Sequence, residues 1–479
     1  MLKKVLCGTL AAALAVSAMA GCGKDKKEVG TDKPYEISWY YPGGKNPADK
    51  ELVEGEIAKY LKDSLNVSLN MQSISWDDYY TKMNVMIAGA EKLDISWADS
   101  DNYRLNATRQ AYQPLNDLMD KYAPETKKLL GANFLKGSEV DGVNYGVPAN
   151  KDKGHHWGII YNKDMAEKYG LENQIAAVKT IDDFVPIMEL VKEKEPNTTI
   201  LIQNGSFSIP QMIDFDGISF PAALYPDDET GKFVNLVATP EFKQACEKSR
   251  EFYEKGFMPK DVVTVKTQDG GYFARIQRLK PGKATEMSNA KYHYGQIDLS
   301  TPRMLAMDTV GSLLTISRTS EAPERVMQFI EKVYTDPKLA NMIVYGIEGK
   351  HYKKLADNRV SVLPDSKYTH AGDRWQFGNT FILHLNEFDE ENQIKDMEEY
   401  NNNLKPSIMN GFAFDPSVVQ AEVGACQNVF SEFWLRTVTG AEDPNVIIPQ
   451  FLEKLDRAGA DKIIAEAQKQ FDAWRAKNK

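Results

Sequence analysis

Three short stretches, each mixing polar residues with an aromatic, hold the side chains of this chain best suited to handling a ligand. They are Tyr41-Pro42-Gly43-Gly44, Ala98-Asp99-Ser100-Asp101-Asn102-Tyr103, and Asn150-Lys151-Asp152-Lys153-Gly154-His155-His156-Trp157. Carboxylates accept hydrogen bonds from hydroxyl groups, and amides both accept and donate. Flat aromatic rings cover an apolar ligand face at low entropic cost. A concave site that mixes the two suits a hydroxyl-rich molecule with C–H faces. The chemistry these residue types offer is hydrogen bonding and ring stacking to a bound ligand. The candidates are Tyr41, Asp99, Asp101, Asn102, Asn150, His156 and Trp157. Trp375 with Gln376 and Asn379 repeats the aromatic–amide combination, and His293 between Tyr292 and Tyr294 is a further candidate. The Asp/Asn stretch could equally cap the helix after it, and Tyr41 could equally be core. Trp76 and Trp97 read as core, one opening a helix and the other lying within a strand.

Other chemistries find less support. His155 and His156 are adjacent, so on a strand they point to opposite faces, and no third metal ligand lies nearby. Asp214-Phe215-Asp216-Gly217 lacks the spacing of a twelve-residue calcium loop. No metal and no cofactor is expected. Arg275, Arg278 and Lys280 could meet a ligand carboxylate or form a solvated face. Paired carboxylates could also do the acid–base work of a glycosidase, though no motif points to such a pair. There are four cysteines. Cys7 lies in the leader described below, and Cys246 and Cys426 fall in helical stretches far apart in sequence. They could pair in an oxidising exterior, but two free thiols are the expectation. The net charge of −10 disfavours nucleic acid and anionic lipid as partners.

The loops follow from the elements around them. Glu36–Tyr41 reads as a strand. Asn46-Pro47 reads as a helix start, with Leu52, Val53, Ile57, Tyr60 and Leu61 at helical spacing. A strand over 66–74 follows, and Ser75-Trp76-Asp77-Asp78 has the form of a capping box. Then come a helix through Met83 and Met86 and a strand over 93–97. This alternation implies a parallel α/β sheet, whose ligands lie outside the carboxyl ends of the strands. Asp141-Gly142 turns a hairpin, and a strand over 157–162 restarts the pattern. Helices open at Thr180 and Thr239, strands cover 199–202 and 310–316, and helices open at Pro323 and Asp336-Pro337. The last third is helical, over 418–438 and 449–474.

At the amino end, Lys3 and Lys4 precede an apolar run from Val5 to Ala20 that ends at Ala20-Gly21-Cys22. The run is short for a span and has the three-part form of a secretory leader. Cys22 after the small pair resembles the lipobox of bacterial lipoproteins, with Met19 where leucine is usual. That resemblance implies acylation on Cys22, a leader over 1–21, and a lipid-anchored tether over 22–34. The tether is charged and nearly free of apolar side chains.

Beyond the tether the chain resembles the bacterial extracellular solute-binding proteins of ABC importers, of the family-1, sugar-binding type. The phrases are Asp94 to Asp99, Asp141 to Pro148, Thr239-Pro240-Glu241-Phe242, and Ser317-Arg318-Thr319-Ser320 leading to Pro323. Trp375 to Asn379 and Gly411 to Pro416 are similar to the oligosaccharide and aldouronate lipoproteins. The resemblance implies an α/β, two-lobed periplasmic-binding-protein-like fold of type II, with a ligand cleft between the lobes and a helical C-terminal region. Lobe one would span 35–148 and about 305–365. Lobe two would span 149–304 and about 366–479, including the C-terminal helices. It further implies a monomer at the outer face of the cell membrane that takes an oligosaccharide and hands it to the transmembrane subunits of an ABC permease. A surface glycosidase and a receptor for peptides or another polar solute are the alternatives.

Overall fold

The computed structural model describes residues 32–225, 227–264 and 271–478; the side chain of Asp101 is not among what is described. The leader, Cys22 and nearly all of the tether lie outside these residues. In chain order the strands are β1 (Tyr35–Gly43), β2 (Val67–Ser75), β3 (Ile95–Ala98), β4 (Glu139–Val140), β5 (Val143–Asn144) and β6 (Gly146–Pro148). Then follow β7 (His156–Asn162), β8 (Thr199–Ile202), β9 (Asp216–Ser219), β10 (Ala222–Leu224), β11 (Val234–Asn235), β12 (Tyr272–Leu279), β13 (Tyr294–Asp298) and β14 (Leu313–Ile316).

The first lobe is built on a sheet of order β2-β1-β3-β14-β6. The first three strands run parallel, and β14 returns antiparallel between β3 and β6. The inner strands are covered on both faces: all four residues of β3 and of β14 are buried, whereas β1 and β2 nearer the edge alternate buried with half-buried positions over much of their length. The helix Pro323–Thr335 lays Val326, Met327, Phe329, Ile330, Val333 and Tyr334 into this core, the three-to-four spacing of an amphipathic face. Its Tyr334 hydroxyl donates to the carbonyl of Pro148 at 2.7 Å, tying helix to β6.

The second lobe has a smaller sheet of order β13-β7-β12-β8, drawn wholly from 156–298. A third unit joins the β9–β11 hairpins to the C-terminal helices Gln420–Val438, Pro444–Ala458 and Ala460–Lys477 around their own core.

Several local expectations shift. The first helix begins at Lys50, not at Pro47. Asn46 instead holds the end of β2, its side-chain carbonyl accepting from the Ser73 amide at 2.7 Å. Ser75 reaches Asp78 without closing a backbone cap, whereas Thr180 and Asp183 form a complete capping box. The helix expected at Pro449 starts earlier, at Pro444 behind the Asp443 cap, and Pro449 lies inside it. Tyr368, Phe377 and Leu383 join the first core, because Phe377 sets its ring edge-on to Trp39 and Tyr41 at 5.5 and 5.0 Å. These three residues lie past 365 and pack with the first lobe's core. Cys246 and Cys426 are both buried and free. No helix among the described residues is long and apolar enough to cross a membrane.

Candidate ligand-binding cleft

Chain segments crossing between the lobes run side by side. His155 and Arg303 exchange backbone hydrogen bonds at 2.9 Å in both directions, and Met304 pairs with Pro406 on the far side. Asn150 pairs with Asn379 through a parallel bridge, their side-chain amides joined at 2.9 Å. Both residues are buried. They were expected at the ligand and serve instead as a pin within the crossover. His155 is locked more strongly. Its Nε2 lies 2.8 Å from Asp214 and its Nδ1 3.0 Å from Asp308. Carboxylates only accept, so both nitrogens donate and the ring is an imidazolium. Burial alone would lower its pKa; the two carboxylates overcome this and push it up to about 9. Beside it, burial raises Asp216 to about 7, while Ser407 and the Ala306 amide donate to its carboxylate.

The lobe-one wall of the cleft stands on the carboxyl ends of β1, β2 and β3. Trp76 follows β2 directly and is 42% exposed. Its ring lies nearly parallel to that of Trp375, 6.2 Å away at 16°. Trp97 meets both rings edge-on at 5.3 and 5.9 Å and is itself buried, its indole donating to Ser312 at 2.9 Å. Tyr80 donates to Asp99 at 3.0 Å; burial and the neighbouring charge hold its phenol well above the ordinary value. Asp99 and Asn102 are half-buried at the start of the helix Ser100–Thr108, which also carries Asp101. Trp375 joins this wall through Trp76 and Trp97, and Asp99 directly follows β3, the strand that carries Trp97. Trp76, read as core, is the exposed platform of this wall.

The other candidates fall elsewhere. Tyr41 is 2% exposed and packs on His370, 3.4 Å from hydroxyl to ring nitrogen. Gln376 is buried with neither amide atom partnered. His156 is held by Tyr400 at 3.1 Å and Asp298 at 2.9 Å. His293 is exposed against Asp164 at 2.8 Å. Trp157 has no exposed surface, because both faces of β7 are covered. Its indole donates to Asp214 at 2.8 Å, so it braces the lobe-two wall from behind.

On that second wall Arg278 stacks over Trp157 at 5.2 Å and Arg275 over Phe207 at 5.5 Å. Lys280 is bound to Asp152 at 2.9 Å and Glu286 at 3.0 Å. The trio is therefore not a solvated face. A cavity of about 350 Å³ opens between the lobes, lined by Ser100 and Arg104 from lobe one and by Gln211, Asp214, Phe220 and Arg278 from lobe two. Among the described residues no cluster of three metal-ligating side chains occurs.

Two α/β lobes, joined by adjacent crossovers and enclosing an aromatic-walled cleft, define a binding protein of the hinged type. The chain belongs to the bacterial extracellular solute-binding protein family, whose model matches residues 44–338. A domain of unknown function, DUF3502, matches 408–476. The chain is 31% identical, over 98% of its length and 96% of the relative's, to a carbohydrate ABC transporter substrate-binding protein of Streptococcus pneumoniae. It is similar to the crystal structure of the N-glycan transport solute-binding protein NgtS from the same organism. That likeness has 29% identity and a TM-score of 0.84, over 93% of this chain and 100% of that one. For NgtS in complex with Man5GlcNAc the identity is 30%, the TM-score 0.78 and the coverage 93% and 100%.

Proposed function

We infer that the chain is the substrate-binding component of a carbohydrate ABC importer, held outside the cell by lipid on Cys22. The observation that carries the reading is the group of Trp76 and Trp97 at strand ends with Trp375 packed on both and Asp99 following β3. Aromatic faces take the C–H surface of a sugar, and Asp99 accepts from its hydroxyls. Contacts made to both walls favour the closed arrangement, so binding energy drives closure. The NgtS complexes with Man1GlcNAc and Man5GlcNAc support the ligand class. The ligand is accordingly an oligosaccharide of the mannose–N-acetylglucosamine kind, delivered unchanged to the permease.

Isothermal titration of the leader-free protein against Man1GlcNAc, Man5GlcNAc and fructo-, malto- and xylo-oligosaccharides tests this. Saturable binding of a mannosyl sugar is expected. Binding of none of them by folded protein refutes the reading. For the anchor, Cys22→Ser expressed in a Gram-positive host should release the protein into the medium, and retention of the variant on the membrane would refute lipidation.

A further inference from the structure

The carboxyl-terminal segment 408–476, which a domain of unknown function matches, reaches the cleft through a single helix face. Gln427, Phe430 and Trp434 lie three and four residues apart on the helix Gln420–Val438, hence on one side of it. All three line the interlobe cavity, opposite Ser100 and Arg104 of the first lobe. Phe430 is half-buried and sits 4.8 Å from Phe220 and 4.9 Å from Trp434. Trp434 is fixed from below, its indole donating to the Gly205 carbonyl at 2.7 Å. Gln427 stands exposed at the rim. Arg278 completes the floor: its guanidinium makes no ion pair among the described residues, and its buried Nε has no hydrogen-bond partner. The cavity is of ligand size.

The cavity begins one residue along the chain from Asp99, which stands beside the tryptophan wall. Ser100, which lines it, directly follows Asp99, the acceptor of Tyr80. Ser100 holds a φ of +38°, a backbone conformation that costs free energy for a residue with a side chain and that collects at ligand sites.

We propose that segment 408–476 builds the outer wall of a distal subsite, which takes a further sugar unit of the same oligosaccharide and so sets the length of chain preferred. The aromatic group Phe220, Phe430 and Trp434 covers the apolar face of that unit. Gln427, Gln211 and Arg278 bond its hydroxyls. The inference rests on the oligosaccharide reading above. A short sugar is held on the tryptophan wall alone, while a longer one needs both ends.

The test is titration of Man1GlcNAc and Man5GlcNAc against the wild type, Gln427→Trp, Phe430→Ala and Trp76→Ala. Gln427 is solvent-exposed, so Gln427→Trp fills the subsite without touching the core. It should weaken Man5GlcNAc by about tenfold or more, equal to about 1.4 kcal/mol, and leave Man1GlcNAc within about twofold. Phe430→Ala should lean the same way, and Trp76→Ala should weaken both sugars. Equal losses for both sugars in Gln427→Trp, or no loss for the longer one, overturn the subsite. Failure of the wild type to bind either sugar overturns the oligosaccharide reading, and the subsite falls with it.

Discussion

Raising the pH from 6.5 to 9.5 should destabilise this protein, and His155 is the reason. Its ring bridges Asp214 and Asp308 at the crossover and titrates near 9 in the folded chain against an ordinary 6.5. A group whose folded pKa is raised contributes stability that is complete below the unfolded value and lost as pH climbs through the folded one. The window is therefore about pH 6.5 to 9. At 1.36 kcal/mol per pKa unit, the ceiling is about 3 kcal/mol. Asp216, raised from 3.8 to about 7 by burial, adds a loss of the same sign, most of which falls between about pH 4 and 7 and so below the range tested. Urea unfolding followed by circular dichroism at pH 7, 8, 9 and 9.5 isolates the histidine. His155→Gln supplies the control. Glutamine carries no charge and leaves two buried carboxylates uncompensated, a loss of about 3–5 kcal/mol at neutral pH. In that variant stability should no longer fall between pH 7 and 9. A flat profile in the wild type, or an undiminished slope in His155→Gln, would falsify the imidazolium bridge.

Further outcomes follow from single contacts. Trp76→Ala removes the exposed platform of the wall and should cost about tenfold or more in sugar affinity by calorimetry, the usual scale for an aromatic anchor, with the melting temperature unchanged. Gly154→Ala would drive a Cβ into the Arg303 carbonyl and part the two paired crossovers. A loss of about 1–3 kcal/mol is expected in urea unfolding, and unaltered stability would show that the crossovers yield freely. Cys22→Ser, with fractionation of the culture, checks the anchor.

Element types were legible in the sequence wherever periodicity was strong. The strand–helix alternation over 36–97, the Thr180 cap and the Pro323 helix all stand as read. The place of Asp99 at a strand end was legible because topology alone selects such loops. Trp76 was not: a large apolar residue at the first position of a helix looks the same whether it turns inward or toward a cleft. Trp157 fails in the opposite sense. Alternation cannot assign a face to a strand covered on both. Asn150 and Asn379 carry the amide chemistry of a sugar site, yet each satisfies the other, and 229 residues separate them. Phe430 lies within a stretch that the sequence marks as helical without marking which face meets a ligand. Only the third dimension shows its outer edge meeting the cavity.

The place of β14 has a consequence for how the chain matures. It lies in the middle of the first sheet, between β3 and β6, though 148 precedes 313 by a whole lobe. The second sheet, drawn from 156–298, needs nothing later in the chain to pair its strands. An emerging polypeptide can thus assemble its middle portion while its beginning still waits, with the inner edges of β3 and β6 bare until β14 arrives. Late long-range pairing of this kind is slow, and bare strand edges invite aggregation. Export in an unfolded form, with completion on the far side, avoids that hazard.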